Sequence, residues 1–251
     1  MTLTDKLCIV TGGGSGIGKS TAVLMASKGA HVILVGRTMS KLMEVQKTIE
    51  ERGGSASSMD ADISDNIAVK RLVEMVLKDY GHVDVLVNNA GHSSQYRKLL
   101  TSTPEDMQSV LNSNLFGTIY LTQSVVPIML KRKQGTVINI SSMAAVNPGL
   151  LPGMIYSAVK SAIINFTSFL NAEFKNTGLR ASVVLPGEVD TPALDIRPVN
   201  PSRESRDTMV MADDVAEAIT LIASLPQRAC IPELRIRPTI LRDYSSEAGR
   251  E

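Results

Sequence analysis

A tyrosine and a lysine four residues apart, in Tyr156-Ser-Ala-Val-Lys160, could carry acid–base chemistry. In a helix, residues at this spacing lie one above the other, so the phenol and the ammonium share a face. A free tyrosine has a pKa of about 10, and a neighbouring cation favours the phenolate and lowers that pKa. The spacing therefore predicts a phenol that can exchange protons near neutral pH. The alternative is a surface pair whose apolar stems lie along the helix.

A glycine-rich segment that follows an apolar run could bind phosphate. Thr11-Gly-Gly-Gly-Ser-Gly-Ile-Gly18 comes directly after a β-branched run, and a helical pattern begins within it. Glycines let the backbone approach a pyrophosphate, while the helix N-terminus supplies N–H donors and a partial positive charge. This context predicts a dinucleotide site, the alternative being an ordinary turn. The predicted cofactor-binding residues of the segment are Gly12, Ser15, Gly16, Ile17 and Gly18.

The end of the next apolar run indicates which dinucleotide is bound. An acid at this point hydrogen-bonds the ribose 2′-hydroxyl of NAD, whereas an arginine accepts the 2′-phosphate of NADP. Gly36 stands where the acid would be, and Arg37 follows with an always-charged fork suited to phosphate. The sequence favours NADP(H), and NAD(H) is compatible with it. The alternative role for Arg37 is stacking on the adenine.

The elements that must position these residues alternate along most of the chain. Apolar runs without strict alternation suit strands covered on both faces, and repeated strand–helix units predict a parallel sheet with right-handed crossovers. Strands are predicted at 7–10, 31–35, 83–87, 135–140 and 180–185, with weaker candidates at 55–59 and 234–237. Helices are predicted at 16–29, 39–52, 65–80, 104–132, 155–176 and 212–224. The fold class is α/β: a single doubly wound Rossmann-like domain over residues 1–242, with a parallel seven-stranded sheet, helices on both faces and a polar tail at 243–251.

Composition excludes several other classes of protein. The 251 residues are 43% hydrophobic and 20% charged, which is typical of a folded globular domain and not of a disordered one. A net charge of +1 gives no electrostatic case for nucleic-acid binding. No run of about 18 apolar residues predicts a membrane helix. The two cysteines, Cys8 and Cys230, fit a reducing compartment, so a cytoplasmic protein is expected. The three histidines are too scattered along the sequence to form a metal site, so no metal is expected.

The loop form Thr-Gly-x-x-x-Gly-x-Gly and the downstream Tyr156-x-x-x-Lys160 resemble the short-chain dehydrogenase/reductase family, over roughly residues 5–238. The resemblance implies an NAD(P)-dependent enzyme that transfers a hydride between nicotinamide and a carbonyl or secondary alcohol. In this interpretation Tyr156 is the acid/base. Lys160 lowers the pKa of the phenol and holds the nicotinamide ribose.

The same resemblance implies cofactor contacts in the middle of the chain. Asn89 belongs to an Asn-Asn-Ala-Gly motif at the end of the fourth strand, which borders the cofactor in the family. Asp62 matches the family's contact to the adenine amine, with Ile63 beside it. Asp60 competes with Asp62 for that role.

Further cofactor contacts are implied after the sixth strand. Pro186-Gly187 resembles the family's turn that closes on the nicotinamide. Val189 and Thr191, shortly after this turn, match the positions that contact the carboxamide.

Two more catalytic residues follow from the resemblance. Asn114, inside the long helix predicted at 104–132, matches an asparagine that holds a water linked to Lys160, the alternative being an ordinary surface asparagine. Ser142 matches the serine that orients the substrate. The 14 residues from Ser142 to Tyr156 are one more than the family pattern. Because side chains alternate in a strand, either Ser141 or Ser142 faces the substrate, but not both.

The substrate is expected to be a small carbonyl or alcohol, with walls from residues 92–100, 149–155 and 193–209. Three arginines of the last segment could receive a carboxylate, or they could be solvated charges of a lid: Arg197, Arg203 and Arg206. The alternative function is a catalytically silent NADP(H)-binding regulator. The long apolar helices at 104–132 and 155–176 predict a homotetramer or homodimer. No nucleic-acid or membrane partner is expected.

Overall fold

The computed structural model describes residues 2–195, 197, 199–244 and 247, so most of the tail predicted at 243–251 lies outside the described residues. Seven parallel strands form the main sheet, in the order β3-β2-β1-β4-β5-β6-β9. These strands are β1 (Leu7–Thr11), β2 (His31–Gly36), β3 (Ser55–Asp60), β4 (Val85–Asn88), β5 (Gly135–Ile140), β6 (Leu179–Pro186) and β9 (Glu233–Ile236). The predicted doubly wound, seven-stranded fold is confirmed.

Eight helices connect and cover the strands in the described part of the chain. They are α1 (Gly16–Ser27), α2 (Met39–Glu51), α3 (Asn66–Tyr80), α4 (Pro104–Leu111), α5 (Gly117–Arg132), α6 (Met154–Glu173), α7 (Arg203–Asp207) and α8 (Ala212–Ser224). A two-stranded sheet adds β7 (Val189–Asp190) and β8 (Val210–Met211), with β7 directly after the turn at the end of β6. The sequence did not predict α7, β7 or β8, which are all very short.

The sheet separates two hydrophobic cores. Side chains alternate along β1, so Cys8 and Val10 pack under α1, α2 and α8, whereas Ile9 packs under α3 and α5. All five residues of β1 are buried, as expected for a central strand covered on both faces. This arrangement brings the carboxyl ends of the strands to one edge. The strand order reverses there between β1 and β4, where ligands bind in open α/β sheets.

The prediction of one continuous α-helix at 104–132 is wrong in the middle of that range. A five-residue π-helical turn, Asn112–Phe116, separates α4 from α5. Thr103 caps α4 by accepting a hydrogen bond from the backbone N–H of Asp106, and Pro104 occupies the first turn as the sequence predicts. Wider turns of this kind are rare and occur mostly near functional sites, and this one carries Asn114.

A buried arginine lies at the amino ends of the strands, on the edge of the sheet opposite the cleft. Arg180, in β6, is 5% exposed, and its guanidinium reaches the C-terminal end of α8 and the segment that follows. It donates to the backbone oxygens of Ile222, Ala223, Leu225, Pro226 and Ala229 and to the hydroxyl of Thr136. A cation here satisfies carbonyls that a helix end leaves without partners. Within the described residues, no helix is both long and apolar enough to span a bilayer.

Candidate active site

A large cleft lies along the carboxyl ends of the strands, with a volume of about 1590 Å³. Typical small-molecule sites are roughly 300–1,000 Å³, so this cleft has room for a dinucleotide and a substrate together. The predicted residues that line it are Gly12, Ser15, Gly16, Ile17, Arg37, Asp62, Ile63, Asn89, Asn114, Ser142, Tyr156, Lys160, Val189 and Thr191. Gly18 is not part of the lining, and it acts through the packing of the loop.

The glycine loop has a backbone that only small residues tolerate. Gly12 and Gly16 have φ of +66° and +50°, in the left-handed region. A Cβ on Gly18 would lie 2.2 Å from the carbonyl oxygen of Gly12, so α1 packs directly against the loop. The hydroxyl of Ser15, the N-cap of α1, makes no capping hydrogen bond. The N–H groups of the first turn therefore face the cleft as donors for an anion.

Thr11 and Asn89 tie the glycine loop to β4. The hydroxyl of Thr11 accepts hydrogen bonds from the backbone N–H groups of Asn89 and Ala90, both at 2.9 Å, and donates to the carbonyl of Val87. The Asn89 side chain donates in return to the carbonyl of Thr11 at 2.9 Å. Asn89 is thus a positioning residue that also lines the cleft.

The end of the cleft beyond β2 is basic. Arg37, Thr38 and Lys41 line it together with Asp62, whereas Asp60 does not. The predicted adenine contact of Asp62 stays a prediction. Burial raises the pKa of Asp62, but hydrogen bonds from Ser64 and the charge of Arg37 together lower it below its ordinary value. Lys41 is not among the cofactor-binding residues predicted from the sequence. Its position in the first turn of α2, four residues after Arg37, could have indicated that it lines the same site.

Tyr156 and Lys160 lie on the same face of α6, as predicted. The Lys160 Nζ is 5.5 Å from the centre of the Tyr156 ring and donates a hydrogen bond to the carbonyl of Ile140 at 2.9 Å. Lys160 is 5% exposed, and burial lowers its pKa from 10.5 to about 8. The two groups therefore share one buried pocket next to the end of β5.

The prediction that the pKa of Tyr156 is lowered is wrong for the protein without a bound cofactor. Burial raises the pKa of the phenol above its ordinary value, and the hydrogen bond with Ser142 and the charge of Arg197 offset only part of this effect. The sequence shows that a cation is nearby but not how strongly the phenolate is desolvated. Tyr156 is accordingly held as a protonated phenol, the form that can donate a proton.

The two serines after β5 both line the cleft but have different partners. Ser141 is buried and donates its hydroxyl hydrogen to the backbone carbonyl of Lys160 at 2.7 Å. Ser142 accepts a hydrogen bond from the backbone N–H of Ala144 at 3.2 Å, and it acts on the Tyr156 phenol, whose pKa it lowers against the effect of burial. Ser142 is therefore the serine beside the phenol, and Ser141 fixes the helix that carries it.

Asn114 presents an unsatisfied carbonyl to the cleft. Its Nδ2 donates to the carbonyls of His92 and Val110, at 2.9 and 3.0 Å. Its Oδ1 is buried and has no hydrogen-bond partner in the described part of the chain. A Cβ on Gly91 would lie 2.2 Å from this oxygen, so Gly91 leaves room for it. A surface asparagine is excluded, because Asn114 is 1% exposed.

The turn after β6 brings Val189 and Thr191 over the glycine loop. A Cβ on Gly16 would lie 3.2 Å from the Thr191 methyl group. The three arginines of the following segment behave differently from one another. Arg206 forms ion pairs with Asp190 and Asp195, Arg197 pairs with Glu188 at 3.0 Å, and Arg203 is exposed outside the cleft.

Comparison with known proteins identifies the family. A family model described as short chain dehydrogenase matches residues 6–198. The chain belongs to the short-chain dehydrogenase family. It is therefore an NAD(P)-dependent enzyme of the short-chain dehydrogenase/reductase class.

The relatives of this short-chain dehydrogenase cover nearly its whole length. It is 33% identical to the 3-oxoacyl-(acyl-carrier-protein) reductase FabG of Thermotoga maritima, over 89% of this chain and 92% of the relative. An uncharacterized oxidoreductase of Staphylococcus aureus is 31% identical, over 94% and 98% of the two chains. A metagenomic short-chain oxidoreductase solved with NADP matches with a TM-score of 0.83 and 31% identity, over 96% of this chain and 100% of the other. The closed form of a serine dehydrogenase complexed with NADP+ matches with a TM-score of 0.86 and 25% identity, over 95% and 97%.

Proposed function

We propose that this short-chain dehydrogenase is an NADP(H)-dependent oxidoreductase that interconverts a carbonyl and a secondary alcohol. The observation that carries the proposal is the convergence of Tyr156, Ser142 and Lys160 in the cleft that also contains the glycine loop. A silent regulator would need only the loop. Nothing in the cleft favours that alternative.

The residues of the cleft fit a nicotinamide dinucleotide. The pyrophosphate would lie against the glycine loop, where Gly12 and Gly16 leave no side chain in the way and the N–H groups of α1 point outward. Asp62 and Ile63 would hold the adenine, and Val189 and Thr191 the nicotinamide end. When bound, the cofactor supplies the hydride chemistry, whereas the protein supplies geometry and electrostatics.

Arg37 and Lys41 support a preference for NADP(H). Both line the end of the cleft beyond β2, where the adenosine ribose would lie, and no carboxylate stands at Gly36. Guanidinium and ammonium groups suit a phosphate, while a carboxylate at this position would repel it. The two structural relatives solved with NADP or NADP+ agree with this preference.

Proton transfer is the task of the chain's own residues. During reduction the phenol of Tyr156 donates its proton to the oxygen of the former carbonyl, and its own oxygen becomes a phenolate. Ser142 donates a hydrogen bond to the substrate oxygen as negative charge develops on it. The ammonium of Lys160 stabilises the phenolate, and Asn114 Oδ1 would hold a water through which Lys160 returns a proton. Oxidation runs the same steps in reverse.

Replacement of Tyr156 by phenylalanine tests the proposal. Tyr156→Phe keeps the ring and removes the only group assigned to donate the proton, so we expect kcat to fall by at least about 10²-fold while NADPH binding stays unchanged. Tyr120→Phe is the matched control, because Tyr120 lies on α5 and is not part of the cleft lining. The assay follows NADPH absorbance over a panel of carbonyl substrates. Full activity of Tyr156→Phe would refute the assigned role.

The predicted homodimer or homotetramer stays a proposal. Phe169 of α6 is 57% exposed and Phe116, beside α5, is 37% exposed, which supports a contact between copies at these helices. Light scattering coupled to size exclusion would contradict the proposal if it gave the mass of a monomer. The cytoplasmic location also stays a prediction.

A further inference from the structure

Arg97 has charged donors that no described residue satisfies. It lies in the loop between β4 and α4 and lines the cleft. Its Nε and Nη1 atoms are buried, and neither has a hydrogen-bond partner within the ranges that the structure describes. A guanidinium is always charged and has five N–H donors, and buried donors without partners carry a large cost. Two such atoms on a residue that lines the cleft indicate that a ligand held there supplies their acceptors.

The backbone fixes Arg97 beside the catalytic phenol. Its carbonyl accepts a hydrogen bond from the N–H of Met154 at 3.0 Å, in the first turn of α6. Gly153 has φ of +84°, and a Cβ on it would lie 3.0 Å from the Arg97 Cα. The loop is thus packed onto the helix only two residues before Tyr156. Arg97 is therefore anchored at the Tyr156 end of the cleft and not at the nucleotide end.

Among the described residues, the arginines grouped with Arg97 outnumber the carboxylates by one, and Arg197 and Glu247 are the charges that act on Arg97 directly. Arg197 donates to Glu188 at 3.0 Å, and Arg242 donates to Glu188 at 2.8 Å and to Glu247 at 2.9 Å. These are three guanidinium groups with Arg97, against the two carboxylates of Glu188 and Glu247. Both carboxylates are already engaged by the other two arginines.

The other charged residues described around Arg97 and Tyr156 do not alter the balance. Arg237 and Asp243 also line the cleft and add one charge of each sign, and the exposed Glu105 and the buried Lys160 line it and add another of each. The charge of Arg197 reaches Tyr156, since it lowers the pKa of that phenol against the effect of burial. The cationic excess therefore belongs to the substrate end of the cleft.

We propose that Arg97 binds a carboxylate of the substrate, so that the enzyme acts on oxo acids and hydroxy acids. This inference rests on the proposed oxidoreductase function. A carboxylate matches the planar guanidinium fork, and its single negative charge matches the single excess positive charge. A phosphate monoester would bring about −1.5 to −2 charges and leave the site with an anionic excess.

Matched substrates test the proposal by kinetics. Acetoacetate and its methyl ester differ in one charge, and both present a ketone. For Arg97→Gln we expect kcat/KM to fall by about 10- to 100-fold for acetoacetate and by less than about 3-fold for the ester. Arg203→Gln, an exposed arginine outside the cleft, should change neither value. Equal losses for acid and ester, or no loss for the acid, would overturn the proposal.

A binding measurement separates this proposal from the proposed function. Butyrate and butyramide have the same size and differ in charge, and neither contains a carbonyl that the enzyme is expected to reduce. We expect butyrate, but not butyramide, to raise the melting temperature of the wild-type protein, and Arg97→Gln to lose that rise. If butyrate stabilises the protein but no ketone is reduced, the carboxylate site is supported and the proposed oxidoreductase function is refuted. If the ester is reduced but butyrate has no effect, the oxidoreductase function is supported and the carboxylate site is refuted.

Discussion

The buried ammonium of Lys160 lowers the free energy of unfolding at neutral pH, so replacing Lys160 by an uncharged residue should stabilise the protein. Its ammonium is buried, and its pKa falls from 10.5 in water to about 8 in the folded chain. Lys160→Met keeps an unbranched side chain of similar length and removes the buried charge. We therefore expect an inactive variant whose stability depends on pH differently from that of the wild type.

The size and the sign of the effect follow from proton linkage. Below pH 8 the lysine is protonated in both the folded and the unfolded state, so the wild type has the full cost of the shift, which is about 3 kcal/mol at 1.36 kcal/mol per pKa unit. Between pH 8 and 10.5 the unfolded chain binds more protons, so this cost declines as pH rises. Loss of the hydrogen bond to Ile140 costs Lys160→Met about 1 kcal/mol at every pH. The net gain at pH 7 is thus about 2 kcal/mol.

Urea unfolding at a series of pH values measures this difference directly. The stability of Lys160→Met minus that of the wild type should fall by about 2–3 kcal/mol from pH 7 to pH 10 and change sign near the upper limit. Lys47→Met is the control, because Lys47 is 77% exposed and remains in water in both states. A pH-independent difference for Lys160→Met, equal to that of the control, would show that the ammonium is not buried and would refute the reasoning.

Two further predictions concern the nucleotide and the stability of the sheet. Arg37→Gln combined with Lys41→Gln should raise the KM for NADPH by about 10-fold and leave the KM for NADH unchanged. Initial rates measured with each cofactor check this prediction. Equal changes in KM for the two cofactors would contradict it. Arg180→Met leaves five backbone carbonyls near the end of α8 without their donor and should destabilise the protein by about 3 kcal/mol in urea unfolding. Arg235→Met, at an exposed arginine, should change stability by less than about 0.5 kcal/mol, and a similar loss in both variants would argue against the Arg180 contacts.

The strands and the glycine loop could be predicted because local chemistry determines them. Adjacent residues such as Ile33 and Leu34 are both apolar because helices cover both faces of β2. The glycines of the loop are needed wherever the backbone has positive φ or approaches another chain segment closely. These requirements leave a signature within a few residues of sequence.

The middle of the long helix could not be predicted in the same way. Asn114 is held by the carbonyl of His92, which is 22 residues away in sequence and lies in the loop after β4. The π-helical turn therefore depends on a tertiary contact and not on local propensity. The choice between Ser141 and Ser142 depends likewise on the position of α6, which supplies the Lys160 carbonyl that Ser141 binds.

Charge effects were predicted least well. The sequence shows which charged residues exist but not how far each is desolvated, so it gave the wrong direction for the Tyr156 pKa. It drew attention to Arg206, which two aspartates neutralise, and passed over Arg97. Only the folded arrangement reveals that two donors of Arg97 lack an acceptor among the described residues.

The π-helical turn at Asn112–Phe116 makes this stretch intolerant of insertions and deletions. Each helical residue rotates the chain by about 100°, so removing one residue would turn α4 relative to α5 by that angle. Gln108 of α4 lines the cleft, while Leu121 and Val125 of α5 pack in the core under the sheet, so such a rotation would displace one set from its place. Length variants of this enzyme that remain active should therefore carry their extra or missing residues elsewhere.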